Sequence, residues 1–403
     1  MSLGRIVPPL AFYLCVLQGG FAAEPLIESI EVASPFTAPD NETYWMQARA
    51  ATIPDSEATP LVLITMQRTD RNGTHMYHGL EATWSEDLGK TWTSIKPIPE
   101  VDRISHSDGF LEAAVDMTPK YHAKTGKVLA TGATFWQDLK LHRDVPDGPS
   151  DTAYAVCDPK FRKWSTWKKL EMPDEPKFHF ARAGCTQRVD LPNGEILLPI
   201  YFHPQGSRVF YVTVVRCSFD GETLRYLEHG NELTVDSEIT KRRTGLFEPS
   251  LVLFKGRFYL TFRAEDCGYV ATSEDGLQFS EPKRWTFNDG KDLGSYNTQQ
   301  HWIIHSNGLY LSYTRRGANN DKVFRHRAPL FIARVDPQQL VVERDSEEVL
   351  LPNLGAAFGN FGVRNITPTE TWVVDCLVGA NKGEPSLYVA KIRWSRPNGL
   401  CTD

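Results

Sequence analysis

Two polar segments in the C-terminal half of the chain carry the side chains best suited to binding chemistry. Hydrogen-bonding side chains precede an apolar run in Tyr296-Asn297-Thr298-Gln299-Gln300-His301-Trp302. A second segment, Arg315 to Arg327, carries six basic residues, counting one histidine, and one acidic residue. Amides and imidazoles pair with hydroxyl groups, and arginine pairs with carboxylate or sulfate. These segments favour a ligand that is rich in hydroxyls and negatively charged.

The elements that must position these side chains have the pattern of β-strands. Short β-branched and aromatic runs are separated by Asn-Gly, Lys-Gly and Asp-Gly turns, which is typical of an all-β protein. The runs group into six similar units, each a hairpin followed by a strand that enters a polar turn. The units run over residues 44–92, 109–167, 187–215, 250–272, 301–333 and 361–392.

An aspartate recurs in the turns of successive units. Asp87, Asp158, Asp220, Asp275 and Asp336 are spaced by 71, 62, 55 and 61 residues. Ser85 to Trp92 matches the Asp-box, S-x-D-x-G-x-x-W, in full, and Asp220 and Asp275 lie in shorter versions. In such a turn the carboxylate accepts hydrogen bonds from its own backbone and the glycine can adopt a positive φ. We therefore assign structural roles to Ser85, Asp87, Gly89, Trp92, Asp220 and Asp275.

This repetition predicts one all-β domain, residues 24–403, folded as a six-bladed β-propeller of four-stranded antiparallel blades. The innermost strands of a propeller begin at its central channel, so polar residues at these positions should meet there. The residues at these positions are Arg49, His106 to Asp108, Arg182, Glu248, Tyr296 to His301 (including Gln300) and Asn360.

The chain resembles the sialidase superfamily of Asp-box propellers over nearly all of residues 24–403. Residues 184–199 are similar to the third-blade hairpin of that family. Residues 247–263 are similar to the fourth, where a Glu-Pro pair opens one strand and an arginine ends the next. The resemblance implies an exo-acting glycoside hydrolase that acts on a glycan containing sialic or uronic acid.

The resemblance also implies residue roles. Three arginines would bind the substrate carboxylate: Arg263, Arg327 or Arg325, and Arg49. Asp70 would be the acid/base, and Glu248 would be the base that activates the nucleophilic tyrosine of the family. Where that tyrosine should open blade six, the sequence reads Phe358-Gly359-Asn360-Phe361-Gly362. The nucleophile is therefore absent unless Tyr296 replaces it.

Three functions remain open at this point. A hydrolase would use Asp70 and Glu248 as the two carboxyl groups that flank the bond. A polysaccharide lyase at a rhamnose–uronate linkage needs no tyrosine nucleophile. In that case His301, His203 or Tyr296 would remove a proton while Arg263 and Arg327 neutralise the carboxylate. The third function is a non-catalytic glycan-binding propeller.

Composition limits the class of partner, and the N-terminal segment predicts where the protein is located. The chain has 403 residues and a net charge of −6 without a long basic run, which argues against a nucleic-acid partner. Arg5, the apolar residues 6–17 and the small residues before Glu24 predict a signal peptide over 1–23, no membrane span, and a secreted or periplasmic protein.

We expect a monomer that binds an acidic oligo- or polysaccharide. The chain has no C-x-x-C pair, and we predict neither a metal nor another cofactor. Six cysteines follow residue 23. They could form disulfides or remain buried free thiols.

Overall fold

The chain forms antiparallel sheets in a β-propeller arrangement. The structure, a computed structural model, describes residues 25–55, 59–73, 75–145, 148–236 and 244–401. Within these ranges the strands belong to six sheets of four to seven strands.

The first three sheets follow one another along the chain. Sheet 1 contains Thr43–Ile53, Leu61–Asp70, Tyr77–Ser85 and Lys96–Pro97. Sheet 2 contains Ile104–Ser105, Phe110–His122, Lys127–Asp138, Arg143–Asp144, Thr152–Asp158, Lys163–Trp164 and Lys168–Lys169. Sheet 3 contains Phe180–Arg182, Val189–Asp190, Ile196–His203, Val209–Phe219, Leu224–His229 and Thr244–Gly245.

The other three sheets continue in the same order. Sheet 4 contains Phe247–Phe254, Arg257–Arg263, Gly268–Ser273 and Lys283–Arg284. Sheet 5 contains His301–His305, Gly308–Tyr313, Leu330–Asp336, Val341–Val342 and Glu348–Leu351. Sheet 6 contains Gly362–Thr367, Glu370–Cys376, Pro385–Trp394 and Ile27–Thr37. Helical structure in the described ranges is limited to short 3-10 turns: Pro99–Val101, Ser107–Gly109, Pro176–Phe178, Phe324–His326 and Arg344–Ser346.

The ends of the chain meet in sheet 6. Ile27–Thr37 pairs antiparallel with Pro385–Trp394, so the earliest described strand completes the last sheet. Thr43–Ile53 of sheet 1 contacts both Phe110–His122 of sheet 2 and Gly362–Thr367 of sheet 6. The sheets therefore follow one another around a closed ring.

The hydrophobic core lies between neighbouring sheets. One cluster joins Leu63 and Trp84 of sheet 1 to Ala130 and Cys157 of sheet 2. Further clusters join sheets 2 and 3, 3 and 4, 4 and 5, 5 and 6, and 6 and 1. Central strands are consequently buried on both faces, as Ile196–His203 is along its whole length. This explains why several strands read as continuous apolar runs rather than as alternating ones.

The Asp-box turn lies between strands Tyr77–Ser85 and Lys96–Pro97 of sheet 1 and contacts sheet 6. Oδ1 of Asp87 accepts hydrogen bonds from the Ser85 hydroxyl (2.9 Å) and the Thr91 amide (2.8 Å). Hydrogen bonds from Thr91 lower the pKa of Asp87 to about 2. Trp92 packs on Trp372 of sheet 6, with ring centroids 6.0 Å apart. The turn thus helps to hold sheet 1 against sheet 6.

The predicted all-β propeller of four-stranded blades is confirmed. The count of six blades stays a prediction, since some sheets carry extra short strands. Within the described ranges, no helix is long and apolar enough to cross a membrane. The predicted signal peptide lies outside those ranges. All six cysteines in the described part of the chain are free thiols, and five of them are buried.

Candidate functional site

A residue with left-handed backbone recurs in or next to an early strand of each of the six sheets. The set consists of Gln47 (φ 59°), Asp116 (φ 53°), Cys185 (φ 60°), Glu248 (φ 47°), Asn297 (φ 42°) and Gly359 (φ 105°). We call these six residues the inner ring. The strand pairing shifts register at Gln47, Asp116 and Glu248, as in a β-bulge. A left-handed non-glycine residue costs about 1–2 kcal/mol, and such strain concentrates at functional sites.

The inner ring is joined by hydrogen bonds between sheets. The Asp116 amide donates to Oε1 of Gln47 (2.9 Å), and the Cys185 thiol donates to Oδ1 of Asp116 (3.0 Å). On the other side of the ring, Arg263 donates to both Glu248 and Asn297. Four inner-ring residues, Gln47, Asp116, Cys185 and Glu248, line a cavity of about 910 Å³. Four of the strained residues therefore form part of the wall of this cavity.

Arg327 lies in this cavity wall without an acidic partner in contact. Its side chain is 7% exposed. Nε donates to the Thr298 hydroxyl (3.0 Å) and Nη2 to the carbonyl oxygen of Asn297 (3.2 Å). Among the described residues the guanidinium thus contacts only neutral oxygens. Burial, together with the positive charges of Arg263 and Arg325, lowers the pKa of Arg327 to about 10. A bound anion would compensate this buried charge.

Arg263 is neutralised by Glu248. The two side chains form an ion pair, and Nε and Nη2 of Arg263 also donate to Oδ1 of Asn297 (3.0 and 2.6 Å). The guanidinium lies over the ring of Phe247, 4.7 Å from its centroid. Both Arg263 and Glu248 line the cavity. A neighbouring positive charge stabilises the ionised form of a carboxyl group, so the ion pair favours a Glu248 carboxylate at the cavity wall.

Arg182 and His203 line the cavity on an aromatic wall. The Arg182 guanidinium lies 3.7 Å from the centroid of Phe180 and 5.5 Å from that of Tyr201. His203 stacks on the same Phe180 ring at 4.3 Å, and its Nδ1 lies 2.8 Å from the carbonyl oxygen of Pro204. A carbonyl oxygen can only accept a hydrogen bond, so Nδ1 of His203 carries a proton and donates to Pro204.

Asp116 is a cavity residue that the sequence analysis did not select. Its side chain is 8% exposed. Burial raises the pKa of this carboxyl, and the negative charge of Glu248 raises it further. The Asp116 carboxyl therefore holds its proton more tightly than an ordinary aspartate, as is typical of a general acid. No sequence motif marks Asp116, because it lies inside a strand-like run.

Five of the predicted site residues do not line the cavity. Asp70 forms ion pairs with His78 (2.6 Å) and His142 (3.5 Å). Tyr296 lies under the guanidinium of Arg316, which is 4.0 Å from the centroid of its ring.

The other three residues are buried and bonded to the protein. Arg49, 1% exposed, donates to the carbonyl oxygen of Asn360. Gln300 accepts from the Thr261 hydroxyl (2.8 Å), and Nδ1 of His301 lies 2.6 Å from the Ser250 hydroxyl. Burial, reinforced by the charge of Arg49, holds the pKa of His301 well below its usual value.

Gln300 and His301 belong to the polar segment 296–302. Their side chains bond to neighbouring parts of the protein and do not line the cavity. Gln299 donates to the carbonyl oxygen of Phe361 (2.7 Å), which joins the segment to sheet 6. His301 and His305 are four residues apart in one strand, a separation of about 13 Å, so they cannot share a metal ion. No group of three potential metal-ligating side chains occurs among the described residues.

Comparisons with known proteins identify the fold. No protein-family model matches the sequence, and no curated protein matches it significantly. A protein of unknown function from Dyadobacter fermentans has a similar structure, with a TM-score of 0.63 and 15% identity over 91% of this chain and 100% of its own.

Two sialidases are also similar. The Hadza microbial sialidase Hz136 has a TM-score of 0.59 and 12% identity over 87% of this chain and 66% of its own. A Trypanosoma rangeli sialidase has a TM-score of 0.58 and 12% identity over 91% of this chain and 58% of its own. This chain thus spans less than two thirds of either sialidase. At such low identity the comparison concerns the fold alone: the chain has a sialidase-like β-propeller fold.

Proposed function

We propose that this protein is a glycoside hydrolase that removes an acidic sugar from the end of a glycan. The observation that carries the proposal is the buried Arg327. Its guanidinium donates hydrogen bonds only to neutral oxygens in the described structure, and it shares a cavity with Arg182, Arg263 and three carboxyl groups. A buried charge without a counter-ion is costly. A sugar carboxylate would supply the counter-ion and would place the rest of the sugar beside the carboxyl groups.

Asp116 and Glu248 are the proposed acid and base. The raised pKa of Asp116 keeps this carboxyl protonated at a higher pH than an ordinary aspartate, so it can donate its proton to the departing glycosidic oxygen. Glu248, ionised beside Arg263, would accept a proton from the attacking water. The glycosidic bond breaks, the sugar gains the hydroxyl of water, and the leaving group gains the proton of Asp116. Asp70 does not line the cavity and has no part in this scheme.

A uronate-directed lyase is the second candidate. It is favoured by His203, an imidazole that lines the same cavity as Arg327. Its imidazole could take the proton next to a uronate carboxylate that Arg327 neutralises. His301 and Tyr296, also considered as bases, do not line the cavity.

The number of blades, the bounds of the domain and the export of the protein are also part of the proposal. Each of the six sheets would be one blade, which is supported by the closed order of sheet contacts. Residues 24–403 would form one domain, exported after removal of residues 1–23.

The test is incubation of the protein with sialylated, uronate-terminated, sulfated and neutral glycans. New reducing ends and the absorbance of unsaturated products are followed together. Hydrolysis predicts reducing ends without that absorbance, and only from acidic glycans. Simultaneous appearance of both signals would favour the lyase. Binding of acidic glycans without either product would leave a glycan-binding propeller and contradict the enzyme.

A further inference from the structure

We propose that Cys185 positions the acid Asp116: its thiol holds one oxygen of the carboxyl group, so that the other oxygen carries the proton for the leaving group. This inference rests on the proposed function, in which Asp116 is the acid. Cys185 acts through that acid and transfers no proton itself.

The first argument is the contact between the two side chains. The Cys185 thiol lies 3.0 Å from Oδ1 of Asp116 and donates to it. Burial raises the pKa of this thiol well above its usual value, so Cys185 keeps the proton that it donates. Both side chains are buried, and the contact is therefore largely shielded from water.

The second argument is the close approach of two neighbouring sheets to Asp116. The Cys185 amide donates to the carbonyl oxygen of Asp116 (3.4 Å), and Oε1 of Gln47 accepts from the Asp116 amide (2.9 Å). A Cβ atom at Gly184 would lie 3.1 Å from Cβ and 3.3 Å from Oδ2 of Asp116, so glycine permits this approach. The backbone of Asp116 is thus held from both sides, and the tight packing limits rotation of its carboxyl group.

The third argument is the difference between the two carboxyl oxygens. Oδ1 accepts from Cys185, whereas Oδ2 accepts no hydrogen bond in the part of the chain that the structure describes. A protonated carboxyl group carries a single O–H, and the oxygen that already accepts a hydrogen bond is the better carbonyl oxygen. The proton therefore belongs on Oδ2. Because Asp116 lines the cavity, Oδ2 is the oxygen left to donate to a departing glycosidic oxygen.

The groups around Asp116 determine how a loss of the thiol should act. Burial raises the pKa of Asp116, and the charge of Glu248 raises it further, whereas the hydrogen bond from Cys185 and the charges of two arginines lower it. Two facing tyrosines are neutral, because burial raises the pKa of each. The facing groups come from sheets 1, 3 and 4: Arg49, Tyr77, Arg182, Cys185, Tyr201 and Glu248. Without the thiol the pKa of Asp116 should rise, and an acid that acts when protonated should then remain active to a higher pH.

The experiment follows the titration of Asp116 and the release of sugar in the same variants. Protein labelled with ¹³C at the aspartate carboxyl groups is titrated by NMR, and the resonance missing from Asp116→Asn identifies Asp116. Cys185→Ala should move this titration and the alkaline limb of the pH–rate profile upward by roughly half to one pH unit, since a thiol is a weak donor. Its maximal rate should fall, because the proton can then lie on either oxygen.

Two further variants make the test specific. Cys185→Ser retains a donor and should keep both the titration and the maximal rate close to those of the wild type. Cys185→Gly removes the donor, suits the left-handed backbone of this residue, and replaces Cys185→Ala if that variant does not fold. The matched control is Cys217→Ala, at a buried thiol of sheet 3 that makes no hydrogen bond in the described structure and does not line the cavity. It should behave like the wild type.

The outcomes separate the two proposals. A wild-type titration or a wild-type maximal rate in the folded variant without the donor would overturn the role of Cys185 and leave the hydrolase intact. An equal shift in Cys217→Ala, or a serine variant that behaves like the alanine variant, would overturn it as well. If the wild type releases no sugar from any acidic glycan, the proposed function fails, and this inference fails with it.

Discussion

At the scale of the residue, the ability of the cavity to bind a ligand depends on which group contacts each buried charge. Glu248 neutralises Arg263 through an ion pair, and Arg182 lies on aromatic rings. Arg327 rests on neutral oxygens. A ligand carboxylate therefore gains most from Arg327. Substitutions in the Arg263–Glu248 pair should affect stability, because removing one partner deprives the other, largely buried charge of this ion pair.

A double-mutant cycle on Arg263 and Glu248 tests this difference. We expect Arg263→Met and Glu248→Gln each to lower the free energy of unfolding by roughly 3 kcal/mol. The double variant should lose about 1–3 kcal/mol less than the sum of the two. Urea unfolding gives the three values. The control pair is Arg393 and Glu31, which are 3.5 Å apart and more than half exposed, and should show far weaker coupling. Additive losses at Arg263 and Glu248 would mean that the pair does not hold the cavity wall.

The residues of the site were only partly accessible from the sequence. The resemblance selected Arg263, Arg327 and Glu248, all of which line the cavity. It did not select Asp116, because a left-handed φ inside a strand has no signature when the residue is not glycine. The resemblance placed Asp70 at the site, and His301 was placed there because it opens a predicted inner strand. A bulge shifts the faces of the residues that follow it, so spacing alone does not fix where a side chain points.

At the scale of the element, hairpin turns and β-bulges have different structural roles. The bulges at the inner ring bend strands at the cavity, whereas the outer hairpins only reverse the chain. The turn between Phe247–Phe254 and Arg257–Arg263 has left-handed Lys255 and Gly256, at φ 50° and 82°. Two left-handed residues indicate a type I′ turn, which prefers Asn-Gly.

Lys255→Asn should therefore stabilise the protein by about 0.5 kcal/mol, since asparagine tolerates this conformation better than lysine. The midpoint of urea unfolding measures the effect. Lys291→Asn is the control, at a side chain that is 78% exposed and whose backbone φ is not left-handed. It should give no gain. A loss of stability in Lys255→Asn would contradict the turn assignment.

The strands themselves were the most predictable elements. Hairpins around Asn193-Gly194, Lys255-Gly256 and Asn307-Gly308 lie between paired strands in the structure, because turn chemistry and alternating or apolar runs act locally. The polar segment before His301–His305, which the sequence favoured for binding, does not line the cavity. Its amides bond to neighbouring sheets, and contacts of that range leave no local pattern in the sequence.

At the scale of the whole molecule, the cavity depends on closure of the ring. Its wall takes residues from sheets 1 to 4, from the loop 324–327 between two strands of sheet 5, and from residues 357, 360 and 378, which lie next to the strands of sheet 6. Sheet 6 is completed by Ile27–Thr37, which pairs with Pro385–Trp394. Losing that strand would expose the edge of the sheet and part of the apolar cluster between sheets 5 and 6, which includes Ile27.

A chain that starts at residue 38 should therefore have a thermal midpoint at least several degrees below that of a chain that starts at residue 25, because it loses a complete strand pairing and buried apolar area. It should also aggregate more readily through the exposed edge. Differential scanning calorimetry and light scattering measure the two effects. Equal midpoints would show that closure does not stabilise the fold.

The most direct test of acid–base chemistry in this cavity is the rate of reducing-end release from an acidic glycan, measured against pH for the wild type and Asp116→Asn. Asp116 is active when protonated, so wild-type activity should fall as the pH rises through its raised pKa. Asp116→Asn should be slower by about 10²–10⁴-fold, with an unchanged melting temperature. Asp345→Asn, at an exposed aspartate outside the cavity, should behave like the wild type. Wild-type rates in a folded Asp116→Asn variant would contradict the account.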